Sequence, residues 1–79
     1  MKNNKQFAVI GLGRFGRAVV ETLVASGYDV MGCDKNMEAV KQMEHIATDV
    51  MQLDVMNEDA MQYIGLNNFD VVIVAIGES

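Results

Sequence analysis

Three glycines in one short stretch are the residues of this sequence best suited to binding phosphate. Gly11, Gly13 and Gly16 follow an apolar run at residues 7–10 and form the pattern G-x-G-x-x-G. After a buried strand, this pattern makes the turn that seats a nucleotide diphosphate at the start of a helix. Gly11 permits the tight turn, Gly13 lets phosphate oxygens approach the backbone, and Gly16 lets the helix pack closely on the strand.

An acidic residue, Asp34, stands 18 positions after Gly16, at the end of a second predicted strand. A carboxylate there can accept hydrogen bonds from both ribose hydroxyls, and its charge disfavours a 2′-phosphate. We therefore expect an adenosine nucleotide with a free 2′-hydroxyl, such as NAD(H), ADP or ATP, and not NADP. The alternative for Asp34 is a solvated residue of a turn.

Two arginines stand at the start of the first predicted helix, where a cation opposes the helix dipole unless an anion is close by. Arg14 lies inside the glycine turn. We favour its contact with a nucleotide phosphate, in its own or a neighbouring subunit, over a surface position. For Arg17, phosphate contact and a surface position stay equally open.

Further candidates lie at the ends of the third and fourth predicted strands. Asp54 ends the third strand, where a carboxylate or adjacent amide can pair with the edge of adenine; the alternative is an Asx-type turn before Asn57. Ala75, Ile76 and Gly77 end the fourth strand and would border the sugar and phosphates across the crevice. Gly77 can also be the terminal turn of that strand.

The predicted nucleotide site thus consists of the glycine turn and the carboxyl ends of the other strands. Its residues are Gly11, Leu12, Gly13, Arg14, Phe15, Gly16, Asp34, Lys35, Asp54, Val55, Ala75, Ile76 and Gly77. No catalytic or metal-binding set is predicted. The single histidine, His45, has no cysteine or second histidine at metal-binding spacing and is expected at the surface. Cys33 is expected to pack as a small buried residue.

Strands and helices alternate along the chain, which indicates a parallel α/β architecture. We predict strands at residues 7–10, 29–34, 49–53 and 71–76. Right-handed crossovers then give a Rossmann-like sheet of order 3-2-1-4, with the first two helices on one face and the third on the other. The fourth strand is apolar throughout, which predicts cover on both of its faces.

The three predicted helices have recognisable ends. The first begins near Arg14 and ends at residues 26–27, the second follows an N-cap at Asn36, and the third runs from Asn57 to Gly65. The predicted apolar faces are Phe15, Val19 and Leu23, with Val20 and Val24 alongside, on the first helix, and Met37, Val40, Met43 and either Ile46 or Ala47 on the second.

Composition excludes several classes of protein. The net charge is −5 and the six basic residues are scattered, so no basic patch for nucleic acid is present. One cysteine among 79 residues rules out an internal disulfide and fits a reducing, cytoplasmic setting. No apolar run approaches the ~20 residues needed to cross a bilayer. We expect a polar leader at residues 1–6 and one domain at 7–79. It lacks the final strands of a doubly wound fold, so we expect a self-associating fragment of a longer chain.

The stretches F-A-V-I-G-L-G-R-F-G at residues 7–16 and N-N-F-D-V-V-I-V-A-I-G-E at residues 67–78 resemble a known family. They are similar to the nucleotide-binding RCK (KTN, TrkA-N) domains of bacterial Ktr/Trk-type potassium uptake regulators. The resemblance implies a non-catalytic cytoplasmic subunit, assembled in dimers and octameric rings and attached peripherally to a membrane potassium transporter. Binding of ATP or ADP, or of NAD(H) in some members, would change the ring geometry and so gate the transporter.

The resemblance carries the three glycines and Arg14 over to phosphate binding, Asp34 to ribose and Asp54 to the neighbourhood of adenine. Two departures weaken the adenine side. Arg17 stands where many relatives have glycine or another small residue, and residues 55–56 replace a small residue followed by threonine. The main rival function is the N-terminal half of an NAD-dependent oxidoreductase, which would need a second half and a catalytic acid or base. A third is an assembly module that binds no nucleotide.

Overall fold

The computed structural model describes residues 5–54, 57, 59, 62 and 68–76. Its elements are β1 (Gln6–Ile10), α1 (Arg14–Ala25), β2 (Asp29–Asp34), α2 (Met37–Met43), β3 (Asp49–Gln52) and β4 (Val71–Val74). All neighbouring strands pair in parallel, in the spatial order β3-β2-β1-β4. The predicted α/β class and strand order are confirmed.

The core lies on both faces of the central strand β1. On one face, Val9 and Val30 pack with residues of both helices, among them Val20 of α1 and Val40 of α2. On the other face, Ala8 and its β2 neighbour form a second cluster with side chains of β3, β4 and the segment before β4. The helices α1 and α2 therefore cover the same face, as right-handed crossovers require.

The ends of both helices follow the expected chemistry. At the end of α1, Gly27 has φ +92° and donates its N–H to the Val24 carbonyl at 3.0 Å, the left-handed glycine cap of a helix. At the start of α2, Asn36 Oδ1 accepts the Glu38 N–H at 2.9 Å. The predicted N-cap at Asn36 is confirmed, and it satisfies one of the N–H groups that a helix leaves unpaired.

The apolar face of α2 is largely as predicted. Val40 and Met43 are buried, and of the two alternatives that follow the helix, Ala47 is buried while Ile46 is exposed.

Two residues predicted for apolar faces are instead exposed. Phe15 is 53% exposed on α1 and Met37 is 42% exposed on α2. Both lie in the first turn of their helix, before the turns that pack on the sheet. The apolar spacing identifies a helix but does not show how far along it the contact with the sheet extends.

The third and fourth strands end earlier than predicted. β4 stops at Val74, and Val74 and Ile76 are 62% and 50% exposed. Its pairing with β1 ends at Ile10, because β1 gives way there to the glycine turn. The expectation that both faces of this strand are covered is therefore wrong at its carboxyl end.

The third predicted helix, at residues 57–65, lies mostly outside the described residues. Of the described ones, Asp59 and Gln62 are helical, and Asn57 Oδ1 accepts the Asp59 N–H at 2.9 Å. The Asn57 side chain therefore makes an N-cap bond at the residue where the predicted helix begins. Within the described parts of the chain, no helix has the length and apolar character to span a bilayer.

Candidate functional site

The first glycine of the turn is required by both conformation and space. Gly11 has φ +101°, a value that residues with a side chain rarely adopt. A β-carbon on Gly11 would lie 2.9 Å from the carbonyl carbon and oxygen of Ala75. The Gly11 N–H donates to the Cys33 carbonyl at 2.8 Å. The turn therefore passes between the ends of β2 and β4, at the carboxyl edge of the sheet.

The last glycine of the turn lets α1 begin directly against the turn itself. A β-carbon on Gly16 would collide with the carbonyl oxygen of Gly11. Gly13 is the N-cap residue, and its carbonyl accepts the Arg17 N–H at 2.9 Å. Among the described residues no side chain caps α1. Its first N–H groups thus offer donors and a positive dipole end to an anion.

Asp34 lies beside the glycine turn and is bonded to it. Its Oδ2 accepts the Leu12 N–H at 2.7 Å, and its Oδ1 accepts the Asn36 N–H at 2.9 Å. Asp34 is half-buried, and its bond to the Asn36 N–H two residues on is that of an Asx-type turn, so the alternative of a turn residue stays open beside the ribose role. Each carboxylate oxygen has two lone pairs, so one acceptor position per oxygen stays open after these bonds.

The two arginines take different positions. Arg14 is exposed in the first turn of α1. Arg17 donates from Nη1 to Oε1 of Gln42 at 2.7 Å and so links α1 to α2. Of the two alternatives for Arg17, the surface position is the one that this hydrogen bond supports.

The side chains between the glycines also differ. Leu12 is 1% exposed and belongs to the core below the turn, so only its backbone faces the site. Phe15 is exposed. Lys35 is exposed and its carbonyl accepts the Gln52 side-chain amide at 3.1 Å, which ties the end of β2 to β3.

At the far ends of the site, Asp54 is exposed and its carbonyl accepts the Asn57 N–H at 3.0 Å. Ala75 is buried, and its N–H donates to the Ile10 carbonyl at 2.7 Å. Ile76 is exposed beside the turn. The predicted positions Val55 and Gly77 lie outside the described residues.

The cysteine and the histidine, whose side chains are reactive in many enzymes, lie in positions that indicate no reactive role here. Cys33 is fully buried, and burial, followed by the Asp34 carboxylate, raises the pKa of its thiol to about 11. At neutral pH it is a thiol and not a nucleophilic thiolate. His45 is exposed, as predicted.

A cavity of about 230 Å³ lies at the opposite, amino edge of the sheet. It is lined by Gln6, Phe7, Asp29, Val30, Met31, Thr48, Asp49 and Phe69. None of these is a predicted site residue. Ligands of open parallel sheets bind beyond the carboxyl ends of the strands, so the glycine turn is the better candidate.

One residue that shapes the site was missed. Gly32, in the middle of β2, lies directly under the Leu12 side chain. A glycine inside a strand often marks a close approach, but the sequence alone does not say which residue approaches it.

A parallel sheet of order 3-2-1-4, a glycine turn between β1 and α1 and a carboxylate ending β2 define the Rossmann class of nucleotide-binding domains. Within that class, residues 7–79 match the family model of the TrkA-N domain, and the chain belongs to this family. The resemblance to RCK/TrkA-N domains is thus confirmed.

Curated relatives carry the same family signal. Ktr system potassium uptake protein C of Bacillus subtilis (strain 168) is 44% identical over 75 residues, covering 95% of this chain and 34% of the relative. Protein A of the same system and organism is 43% identical, covering 94% of this chain and 33% of the relative. The Vibrio alginolyticus protein A is 39% identical, covering 94% and 34%. The chain therefore spans about a third of the length of these relatives.

A solved structure supports the fold. The N5-carboxyaminoimidazole synthetase of Staphylococcus aureus, crystallised with ADP, superimposes with a TM-score of 0.78 at 21% identity. The match covers 100% of this chain and 21% of the synthetase. At this identity the likeness concerns the α/β fold alone.

Proposed function

We propose that this domain binds an adenosine nucleotide, with the diphosphate on the glycine turn and the ribose on Asp34. The observation that carries the proposal is the 2.7 Å hydrogen bond from the Leu12 N–H to Asp34 Oδ2. It brings the ribose-binding carboxylate and the phosphate-binding turn into direct contact. The closeness of the carboxylate to the turn suits a nucleotide, because its ribose and its phosphates are joined covalently and must bind side by side.

The proposed ligand class follows from charge and from hydrogen bonding. The free lone pairs of Asp34 can accept the 2′- and 3′-hydroxyls, whereas a 2′-phosphate would meet a carboxylate of the same charge sign. NAD(H), ADP and ATP fit this requirement and NADP does not. Arg14, exposed in the first turn of α1, is available to a phosphate of the same or a neighbouring subunit.

On the adenine side the proposal involves fewer defined contacts. Lys35 follows β2, Asp54 lies two residues beyond the end of β3, and Ala75 and Ile76 follow β4. These positions surround the carboxyl edge on both sides of the turn. Their roles toward the base and sugar stay part of the proposal, as do those of Val55 and Gly77.

For the whole protein, we propose a regulatory subunit of a potassium uptake system. The similarity to proteins named for potassium uptake supports this proposal. The subunit would be cytoplasmic, assemble as dimers and octameric rings, and attach to a membrane potassium transporter. Nucleotide would gate the transporter by binding two ring geometries with unequal affinity, because only differential affinity shifts such an equilibrium.

A comparison of the affinities of four nucleotides tests the nucleotide proposal. ADP, ATP and NADH are titrated by calorimetry, followed by NADPH, into the wild-type chain and into Asp34→Ala. We expect measurable binding of at least one of the first three and weaker binding of NADPH. Loss of the charged acceptor should weaken ADP binding by roughly tenfold, which corresponds to about 1.4 kcal/mol.

The matched control is Glu21→Ala, which removes one negative charge from an exposed position of α1. This variant should bind ADP like the wild type. Unchanged affinity in Asp34→Ala would remove the ribose assignment. Absence of binding by the wild type would contradict the proposal and favour an assembly module. Turnover of NADH with simple carbonyl compounds would favour the oxidoreductase alternative.

A further inference from the structure

The glycine turn is anchored from below by one of its own side chains. Leu12 is 1% exposed and packs in the core with Val9, Val20 and Val30. Its terminal methyl carbons lie over Gly32, where a β-carbon would stand 3.0 Å from Cδ2 and 3.4 Å from Cδ1. A β-carbon at residue 32 would therefore be in tight contact with the end of the Leu12 side chain, which would have to shift by a few tenths of an ångström.

The backbone of β2 does not itself require glycine at this position. Positive φ values among the described glycines occur at Gly11 and Gly27, not at Gly32. A glycine inside a strand lowers stability, since it loses more conformational freedom on folding than other residues and contributes no packing. The reason for glycine at residue 32 is thus spatial, and the group that uses the space is Leu12.

The seating of Leu12 bears on the site because of the hydrogen bond that its backbone makes. The Leu12 N–H lies 2.7 Å from Asp34 Oδ2, and the Asn36 N–H holds the other oxygen at 2.9 Å. The shift of a few tenths of an ångström that a β-carbon at residue 32 would impose on the Leu12 side chain disturbs this bond, the turn and the carboxylate only if it is passed on to the Leu12 backbone.

We propose that Gly32 is a positioning residue of the nucleotide site: its missing β-carbon seats Leu12, and this seating fixes the glycine turn against the Asp34 carboxylate. The effect on ligand affinity rests on the proposed function. The effect on the turn itself does not, because the contacts that define it involve this chain alone.

The test is Gly32→Ala, compared with Gly27→Ala and with the double variant Gly32→Ala/Leu12→Val. Gly27 has φ +92° and open space around its Cβ position, so alanine there strains the backbone far from the turn. Valine at residue 12 lacks the terminal carbons that come nearest to residue 32. Each protein is measured by thermal unfolding, by ADP calorimetry and by hydrogen exchange of the Leu12 amide.

We expect Gly32→Ala to weaken ADP binding about tenfold, because small displacements of binding groups are costly. The Leu12 amide should exchange faster in the absence of any ligand. Gly27→Ala should lower the unfolding temperature while keeping ADP affinity and Leu12 protection near wild type. The double variant should recover most of the ADP affinity and most of the protection of the Leu12 amide, since residues in direct contact are energetically coupled.

Wild-type ADP affinity and wild-type Leu12 protection in Gly32→Ala would overturn the inference. So would equal losses of affinity in Gly32→Ala and Gly27→Ala, since these would reflect stability alone. If the wild-type chain binds none of ADP, ATP and NADH, the proposed function fails, and the exchange of the Leu12 amide in the same three variants still decides this inference.

Discussion

Cys33 is a buried thiol whose ionisation opposes the folded state. Burial, and after it the neighbouring Asp34 carboxylate, raises the pKa of the thiol from 9.0 to about 11. Between these pH values the unfolded chain releases this proton and the folded chain keeps it. The contribution to stability is complete below pH 9 and is lost as the pH rises to about 11.

We therefore predict that Cys33 makes the free energy of unfolding fall in this range, by up to about 3 kcal/mol. A change of pH acts on the whole chain, so the quantity to measure is the difference in the free energy of unfolding between wild type and Cys33→Ala, obtained by urea unfolding. This difference should shrink steadily from pH 8 to pH 11. A constant difference would contradict the prediction.

At the scale of single residues, the sequence predicts where the local turn and helix start require glycine. It does not predict contacts between residues that are distant in the chain. The positive φ of Gly11 and the close packing of Gly16 follow from the spacing of the pattern. The bond between Asp34 and the Leu12 N–H joins residues 22 positions apart. Neither this bond nor the seat at Gly32 can be inferred without the register of β1 and β2.

At the scale of elements, α2 is short and depends on its N-cap. The helix has seven residues, and its first N–H groups include that of Glu38, bonded to Asn36 Oδ1 at 2.9 Å. We predict that Asn36→Ala lowers the free energy of unfolding by about 1 kcal/mol, because the Glu38 N–H loses its acceptor. Urea unfolding measures this loss.

Asn36→Ser is the matched control, because serine retains a side-chain acceptor at the N-cap. It should remain close to wild type. The bond that the backbone N–H of residue 36 donates to Asp34 Oδ1 needs no side chain at residue 36 and is kept in both variants, so the comparison isolates the cap. Equal stability of the alanine and serine variants would show that the cap contributes nothing.

Caps and glycine stops are local, and the sequence therefore predicts them well, as at Asn36 and Gly27. The ends of strands are not local. β4 reads as apolar through residue 76, yet it ends at Val74, where its partner β1 ends at Ile10. Whether an apolar residue is paired and covered depends on the neighbouring strand, and a single stretch of sequence does not contain that information.

At the scale of the whole molecule, exposed apolar side chains gather near the glycine turn. Val74, Ile76 and Phe15 are 62%, 50% and 53% exposed. Val74 ends β4, Ile76 follows it, and Phe15 lies in the first turn of α1. Exposed apolar side chains in one region of a surface often mark a protein–protein contact. This arrangement supports the proposed self-association.

We predict that the chain self-associates at micromolar concentration, and that Val74→Lys weakens this association because it places a charge in the apolar surface. Sedimentation velocity over a concentration series measures the effect.

The control is Ile46→Lys, at an apolar residue that is 37% exposed and follows α2. Both variants change the net charge from −5 to −4, so a general charge effect is matched between them. Only Val74→Lys should shift the series toward monomer, since only residue 74 lies beside the turn. A wild-type chain that stays monomeric, or an equal shift in both variants, would contradict association through this surface.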